Sequence, residues 1–435
     1  MSISQNFPNT RPSLNLNFAR SKTLDPRITF TRTSTGTYVD ESGVIRTAVA
    51  DEPRFDHDPV TGESLGLLIE EGRSNIKIRS EELQSDFSRA QITTISQNEI
   101  ISPDGLQTAD GIVPNGTDTA HYLDKVFTST SGITTSQDIC CSAFFKKGVG
   151  RNVWLQIYEE SGNAYHGVKF DFETETLTFQ NSTEYTTGGG VTTGYGVIKY
   201  PNGWYRLWVA GYPNTTTTGR RYRISLTDAS GVFNFSGDAV SSYVYSWGVQ
   251  VEIGAFPTSY IPTSGSTATR TADNVSMVGD NFSDWYNQSE GTVFSAFRCD
   301  NWNSSNQFGK VFTINQVIFG VEDNGFWIGN DANNSNTVRY RVRSSGVNQF
   351  GPANLTRTST TVKSAMSVKS SDFAITIDGN TPTTSTSGTL PQVMNSLTIG
   401  RDIVGIEGAH LNGTISQLTY YPRRLTNTQL QNLTK

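Results

Sequence analysis

Short alternations of apolar and polar residues, interrupted every ten to twenty positions or so by Gly, Asn, Asp or Pro, run through most of this chain. That period of two is the signature of half-buried strands, and the interruptions are turn chemistry. In the first eighty residues, RITFTR (27–32) alternates and LGLLIEE (65–71) reads as one apolar strand. Asp40–Glu41–Ser42–Gly43 and Val60–Thr61–Gly62–Glu63 read as turns between short strands. Residues 1–79 hold few large apolar groups, so this segment is expected to become ordered only against neighbouring chains or a docking surface.

From 80 to 262 the pattern predicts an antiparallel sandwich of seven or more strands, including QDICCSAFFKKG, NVWLQIYEE, GWYRLWVAGY and YVYSWGVQVEIGAF. Residues 263–281 are polar, rich in Gly, Ser and Thr, and read as a linker. Residues 282–435 predict a second sandwich, with strands such as GTVFSAFRCD, VRYRVRSSG and SLTIGRD. Asp378-Gly379 marks a hairpin, because both residues tolerate positive φ. Thr426 with Gln429 forms a capping box for a short terminal helix that buries Leu425, Leu430 and Leu433. The fold class is therefore all-β: an N-terminal segment of short strands, two antiparallel β-sandwiches, and a C-terminal helix. No 20–50-residue repeat and no sustained heptad pattern occurs, which favours compact modules over a stalk.

Composition agrees. Charged residues make up 17% of the chain and aromatics 11%, with 40 Gly and 4 Met. The net charge of −6 and the absence of a basic domain argue against a nucleic-acid partner. No apolar run reaches the roughly twenty residues of a membrane helix, and the first residues lack a signal-peptide pattern. Cys140 and Cys141 are adjacent and Cys299 is distant, which suits a chain made and kept in a reducing cytoplasm rather than a disulfide framework. The Asn-x-Ser/Thr triplets at Asn214 and Asn412 follow from the composition alone.

Three stretches also carry resemblances. TFTRTSTGTYVDE, continuing through PRFDHDPVTGESLGLLIEEGRSN, resembles a segment near the N-terminus of bacteriophage virion proteins, especially tail-fibre and other surface-fibre proteins. CSAFFKKG, GWYRLWV and WGVQVEIGAFPTSYIP resemble strands of carbohydrate-binding-module-like jelly rolls appended to phage fibres. FAITIDG, SLTIGRD and LNGTISQLTYYPRRL resemble the concanavalin-like or laminin-G-like lectin sandwich. Together they imply a virion-surface structural protein, assembled in the host cytoplasm. Residues 1–79 would attach it to other virion proteins, and its lectin-like domains would hold host polysaccharide or lipopolysaccharide. A homotrimer is implied by the fibre resemblance. A tail fibre, a capsid head-fibre or decoration protein, and a glucanase-like glycan-cleaving enzyme stand as three readings, the non-enzymatic ones preferred.

The chemistry-bearing residues point the same way. Asp171, Glu173 and Glu175 alternate and could supply the carboxylate pair that glycoside hydrolysis needs about 5–10 Å apart. Their context, VKFDFETETLTF, reads more simply as strand, turn, strand. The four histidines, His57, His121, His166 and His410, are scattered, and no nucleophile elbow, zinc motif or EF-hand loop occurs. No catalytic residue and no metal ligand is assigned. A calcium ion could use Asp323 with Asn324, or Asp331 with Asn333, although solvated turns explain these residues more simply.

Sugar binding asks for aromatic rings against pyranose faces with polar groups beside them. Trp204, Arg206 and Trp208 share one face of their strand, with a core role favoured for the first two. Trp154 and Tyr158 would line a neighbouring strand. In the last unit Trp302 and Trp327 are the tryptophan candidates, with Phe326 and Tyr340 nearby. Arg339, Arg341 and Arg343 form a positive stripe suited to acidic polysaccharide or phosphate, or to a solvated sheet face. The binding candidates are thus Trp154, Tyr158, Trp208, Trp302, Trp327, Arg339, Arg341 and Arg343.

Overall fold

The alternating stretches become strands. In the computed structural model, residues 6–127, 138–159, 165–181, 191–212, 220–299, 309–316, 324–331, 336–402 and 410–435 are described. Two six-stranded antiparallel sheets form the middle sandwich. Sheet I runs, in spatial order, Val191–Lys199, Trp204–Tyr212, Ile139–Lys147, Val244–Ile253, Ala109–Pro114 and Ile92–Ile100. Sheet II runs Thr176–Asn181, Tyr165–Asp171, Asn152–Glu159, Arg220–Leu226, Tyr122–Phe127 and Ser88–Ala90. Alternation decides which side chains meet between them. Ile139, Cys141, Ala143 and Phe145 point inward against Val153, Leu155 and Ile157, and all are buried. Cys140 and Phe144 take the opposite face of the same strand and are buried there too.

The second sandwich pairs an eight-stranded sheet III with a seven-stranded sheet IV. Sheet III runs Thr383–Ser385, Phe373–Ile377, Thr361–Lys369, Glu290–Cys299, Gly413–Tyr421, Ser64–Ile69 and Phe55–His57, with Leu14–Leu16 also on Gly413–Tyr421. Sheet IV runs Thr29–Thr31, Asn274–Val278, Ser396–Ile399, Lys310–Asn315, Gly325–Asn330, Thr337–Ser344 and Val347–Thr356. Asp378 and Gly379 adopt φ of 49° and 72° in the hairpin after Phe373–Ile377. The helix Asn427–Leu433 opens on the capping box, Gln429 N donating to Thr426 Oγ1 at 3.3 Å and Thr426 N to Gln429 Oε1 at 3.0 Å. Its Leu430, with Leu425, covers Phe294, Ala365 and Ala374 on the outer face of sheet III.

Two expectations change. Residues 263–281, read as a linker, carry the strands Ala268–Arg270 and Asn274–Val278, the second inside sheet IV. A polar Ser/Thr-rich stretch can be a strand when both of its edges find partners, and here one edge is Thr29–Thr31. The first eighty residues do use a docking surface, and it belongs to their own chain. Leu14–Leu16, Phe55–His57 and Ser64–Ile69 complete sheet III, Thr29–Thr31 completes sheet IV, and Arg73–Asn75 pairs with Ala268–Arg270. The hairpin of Gly36–Val39 and Ile45–Ala48 lies on the outer face of sheet I. There Val39 and Ile45 pack with Phe144, Tyr200, Trp204, Trp247 and Tyr260. Its turn is tied as the sequence implies, with Asp40 Oδ1 accepting from Ser42 N and Val44 N.

Where the three parts meet, five charged side chains are buried together. Arg54 donates to Glu70 Oε2 and to Asp273 Oδ2, each at 2.6 Å, and to Thr37 O and Ser259 Oγ. Arg32 donates to Asp273 Oδ1 at 3.1 Å and to Val49 O at 2.8 Å. Arg270 places Nε 3.4 Å from Glu70 Oε2. Arg32, Arg54, Arg270 and Asp273 are no more than 1% exposed. Burial alone would raise the Glu70 pKa, but Arg270, Arg54 and the hydrogen bonds from Ser259 hold it down at about 2. These residues come from the first segment (32, 54, 70), from the exit of the middle sandwich (259) and from the stretch after it (270, 273).

Removing one partner of such a cluster leaves a buried charge uncompensated. Arg54→Met should lower stability by about 3–5 kcal/mol in denaturant unfolding. Arg46→Met, which breaks the exposed Arg46–Asp40 pair, should change it by less than about 1 kcal/mol. Acid should act through the same cluster. Because the folded pKa of Glu70 lies below its ordinary value, its contribution is present above about pH 4.5 and fades as the pH falls toward 2. A melting temperature that falls through that window in the wild type, and falls less steeply in Glu70→Gln, is the expected result.

Candidate junction cleft

A cleft of about 620 Å3 opens where the first segment meets both sandwiches, a size ordinary for a small-ligand site. Sheet I provides one wall through Gly196, Ile198, Arg206 and Trp208. The first segment provides Tyr38 and the run Asp56–Thr61, the loop after sheet I provides Phe256–Tyr260, and the second sandwich provides Arg298, Asn412 and Gly413.

The strand Trp204–Tyr212 shows how one sequence face is divided. Trp204 is 2% exposed, packs under the docked hairpin, and donates Nε1–H to Ile101 O. Arg206 is buried against the Phe144 ring, donating to Thr258 O at 2.8 Å and Ser142 Oγ at 3.0 Å. Trp208, two residues on, is only half-buried. Its indole lies across the neighbouring strand at two glycines. A Cβ at Gly196 would sit 2.5 Å from Trp208 Nε1, and one at Gly194 would sit 2.9 Å from its ring. The glycines are there because nothing larger fits beneath the ring. Among the described residues no aromatic or cationic group stacks on Trp208.

The rear wall is fixed. Glu252 accepts from Thr258 N and Oγ1, Glu70 accepts from Ser259 N and Oγ, and Thr37 Oγ1 donates to Tyr260 O. Polar groups ring the opening. His57 is 5% exposed, and its Nδ1 donates to Val39 O at 3.0 Å. That bond leaves Nε2 as the ring's other nitrogen, without a hydrogen-bond partner among the described residues. Asp56 accepts from Val39 N at 2.6 Å. Burial pushes the Asp58 pKa up, but the N–H groups of Thr61 and Val60 outweigh it and hold the carboxyl below its ordinary value. Lys199 pairs with Glu175 at 2.7 Å.

The other candidates fall elsewhere. Trp154 and Tyr158 share the outer face of sheet II, both half-buried. Trp154 stacks on Phe233 with centroids 5.3 Å apart, and Lys169 stands over it at 5.7 Å. Tyr158 stacks on Tyr165 at 4.9 Å, with Arg223 over it at 4.3 Å. Trp327 is on sheet IV and 6% exposed, with Lys310 3.4 Å and Arg341 5.4 Å from its centroid. Arg339, Arg341 and Arg343 form the expected outward stripe, opposite the buried Val338, Tyr340 and Val342. Of the calcium candidates, Asn324 donates to Gln316 Oε1 and accepts from Ser345 N, while Asp331 accepts from Asn354 and lies 3.9 Å from Arg339. Trp302, Asp323 and Asn333 lie outside the described residues. Among the described residues no group of three His, Cys, Asp or Glu could hold a metal.

The acidic run resolves into a turn. Asp171 accepts from Glu173 N at 2.8 Å, and Asp171, Glu173 and Glu175 pair with Arg151, Lys147 and Lys199 respectively. Tyr38, His57 and Phe256 were not sequence candidates for binding. They come from separate segments, and no local periodicity links them to Trp208.

The chain matches no protein-family model and no curated protein sequence. Among solved structures it partly overlays a Ruminococcus gnavus IT-sialidase CBM40 bound to α2,3-sialyllactose. That overlay has TM-score 0.29 and 13% identity, over 34% of this chain and 84% of that one. Domains LG4-5 of the mouse laminin α1 chain overlay at TM-score 0.24 and 9% identity, over 72% of this chain and 90% of that one. Trypanosoma rangeli sialidase overlays at TM-score 0.26 and 12% identity, over 75% and 60%. Overlaps this partial assign neither a fold family nor a ligand.

Proposed function

We propose that this chain is a non-enzymatic virion-surface protein of a bacteriophage that holds host-surface glycan, and that the junction cleft is its sugar site. One observation carries the sugar site: the half-buried Trp208 indole, laid over Gly194 and Gly196 and bordering a cleft whose walls are tied in place. A flat ring matches the C–H face of a pyranose, and fixed polar groups beside it discriminate hydroxyls. The virion placement rests on the phage-like wording of residues 27–75. Attachment through residues 1–79, tail or capsid position and a homotrimer belong to the same proposal, and many copies would turn weak contacts into avidity.

Purified protein tested on a panel of immobilised bacterial surface polysaccharides should retain at least one of them. Trp208→Ala should weaken that binding about tenfold, equivalent to about 1.4 kcal/mol, with the melting temperature unchanged. Gly196→Val keeps the indole but drives it off its seat, and should cause a similar loss. Unchanged affinity in both variants would remove the cleft as the sugar site. Release of oligosaccharide by the wild type, lost in Asp56→Asn, would overturn the non-enzymatic reading.

A further inference from the structure

Register on the outer face of sheet II gathers an unusual charge set. Trp154 lies opposite Lys169 on one side and Ser225 on the other, and Gln156 lies opposite Gly167 and Arg223. Tyr158 lies opposite Tyr165 and Arg221. Asp124, one strand further, lies opposite Arg223. This face therefore holds three cations, Lys169, Arg221 and Arg223, with two carboxylates, Asp124 and Asp171, the second of them paired with Arg151 at 2.8 Å.

The cations are held differently. Arg223 is clamped between Tyr122 and Tyr158, its guanidinium 3.8 Å and 4.3 Å from their centroids, and binds Asp124 through two bonds of 2.6 Å and 2.9 Å. Asp124 is therefore committed. Arg221 reaches the same carboxylate only at 3.5 Å, and its Nε has no hydrogen-bond partner among the described residues. Lys169 has no carboxylate partner among the described residues, and its ammonium meets the Trp154 ring. Between them Gly167 leaves the strand bare, so Gln156 crosses the gap, its Cγ 2.7 Å from where a Cβ would stand. Lys169 and Arg221 sit at opposite ends of the Trp154–Tyr158 stretch, four residues apart along a strand, or about 13 Å.

We propose that this face is a second binding site, independent of the cleft, for a polysaccharide that carries carboxylates. Lys169 and Arg221 take carboxylates from different sugars of one chain, and the half-buried Tyr158 and Tyr165 lie beside the sugars they hold, while the buried Gln156 and Ser225 bond each other beneath them. An extended ligand is required, because no single sugar residue spans both cations. Arg223 acts by positioning: its pairing with Asp124 offsets the carboxylate beside Arg221, as Arg151 offsets Asp171.

The test compares polygalacturonate with the same polymer fully methyl-esterified, by affinity electrophoresis or surface plasmon resonance at low and high salt. The wild type should bind the free acid at least tenfold more tightly than the ester, and lose that preference as NaCl rises. The double variant Lys169→Gln/Arg221→Gln should lose the preference while keeping its melting temperature, and Trp208→Ala should keep it. Equal binding of acid and ester, binding of neither, or full retention by the double variant would overturn the proposal. Loss in Trp208→Ala would move the ligand to the cleft and overturn it too. Dextran sulfate bound as tightly as polygalacturonate would reduce the face to a general anion patch, and the carboxylate site would fall with it.

Discussion

Everything in this architecture passes through the buried cluster of Arg32, Arg54, Glu70, Arg270 and Asp273. Charges removed from water are tolerated only when each finds partners of good geometry, and here those partners lie on three separate stretches of chain. The hydrophobic cores of the two sandwiches would form in any relative orientation. The cluster admits one, because Glu70 must reach Arg54 and Ser259 while Asp273 reaches Arg32 and Arg54. Arg73 adds a second tie close by. It bonds Glu71 and the Ile253 carbonyl and passes Gly254, where a Cβ would fall 1.7 Å from its Nη1 at a φ of 143°. Specificity of arrangement, more than raw stability, is what such polar ties contribute.

That arrangement also shapes the cleft. Its rear wall, Thr258 to Tyr260, is held by Glu252, Glu70 and Thr37, so the same residues that orient the sandwiches fix the surface facing Trp208. A wall held this way loses little freedom when a ligand arrives, which keeps the entropic penalty of binding small. The outer face of sheet II depends on none of this. Its geometry is set within one sheet, by register and by stacked rings.

Local structure was legible because local rules decide it. The Asp40–Gly43 and Val60–Glu63 turns, the Asp378-Gly379 hairpin, the Thr426–Gln429 capping box and the inward alternation of Ile139 to Phe145 all follow from neighbours within a few residues. Two things were not legible. Strand pairing between residues far apart leaves no trace in one sequence, so the first segment read as needing other chains and residues 263–281 read as a linker. Ring environment was the other. Trp154, Trp208 and Trp327 look alike in sequence, yet Phe233 with Lys169 covers the first and Lys310 with Arg341 covers the third. Only the bare backbone at Gly194 and Gly196 lets the second lie flat.

The pairing of Leu14–Leu16 with Leu418–Tyr420, and of Asn6 with Asn432 across 426 positions, sets an order of events for synthesis. A ribosome adding about 5–20 residues per second needs roughly 20–80 s to travel between such partners. Through most of that interval the apolar strand Ser64–Ile69 exists without Gly413–Tyr421, the strand it will pair with. The middle sandwich can close as soon as it emerges, because both of its sheets draw only on residues 88–253. The second sandwich must wait for the last residues of the chain, and until then its opening strands are an unsatisfied edge in a crowded cell.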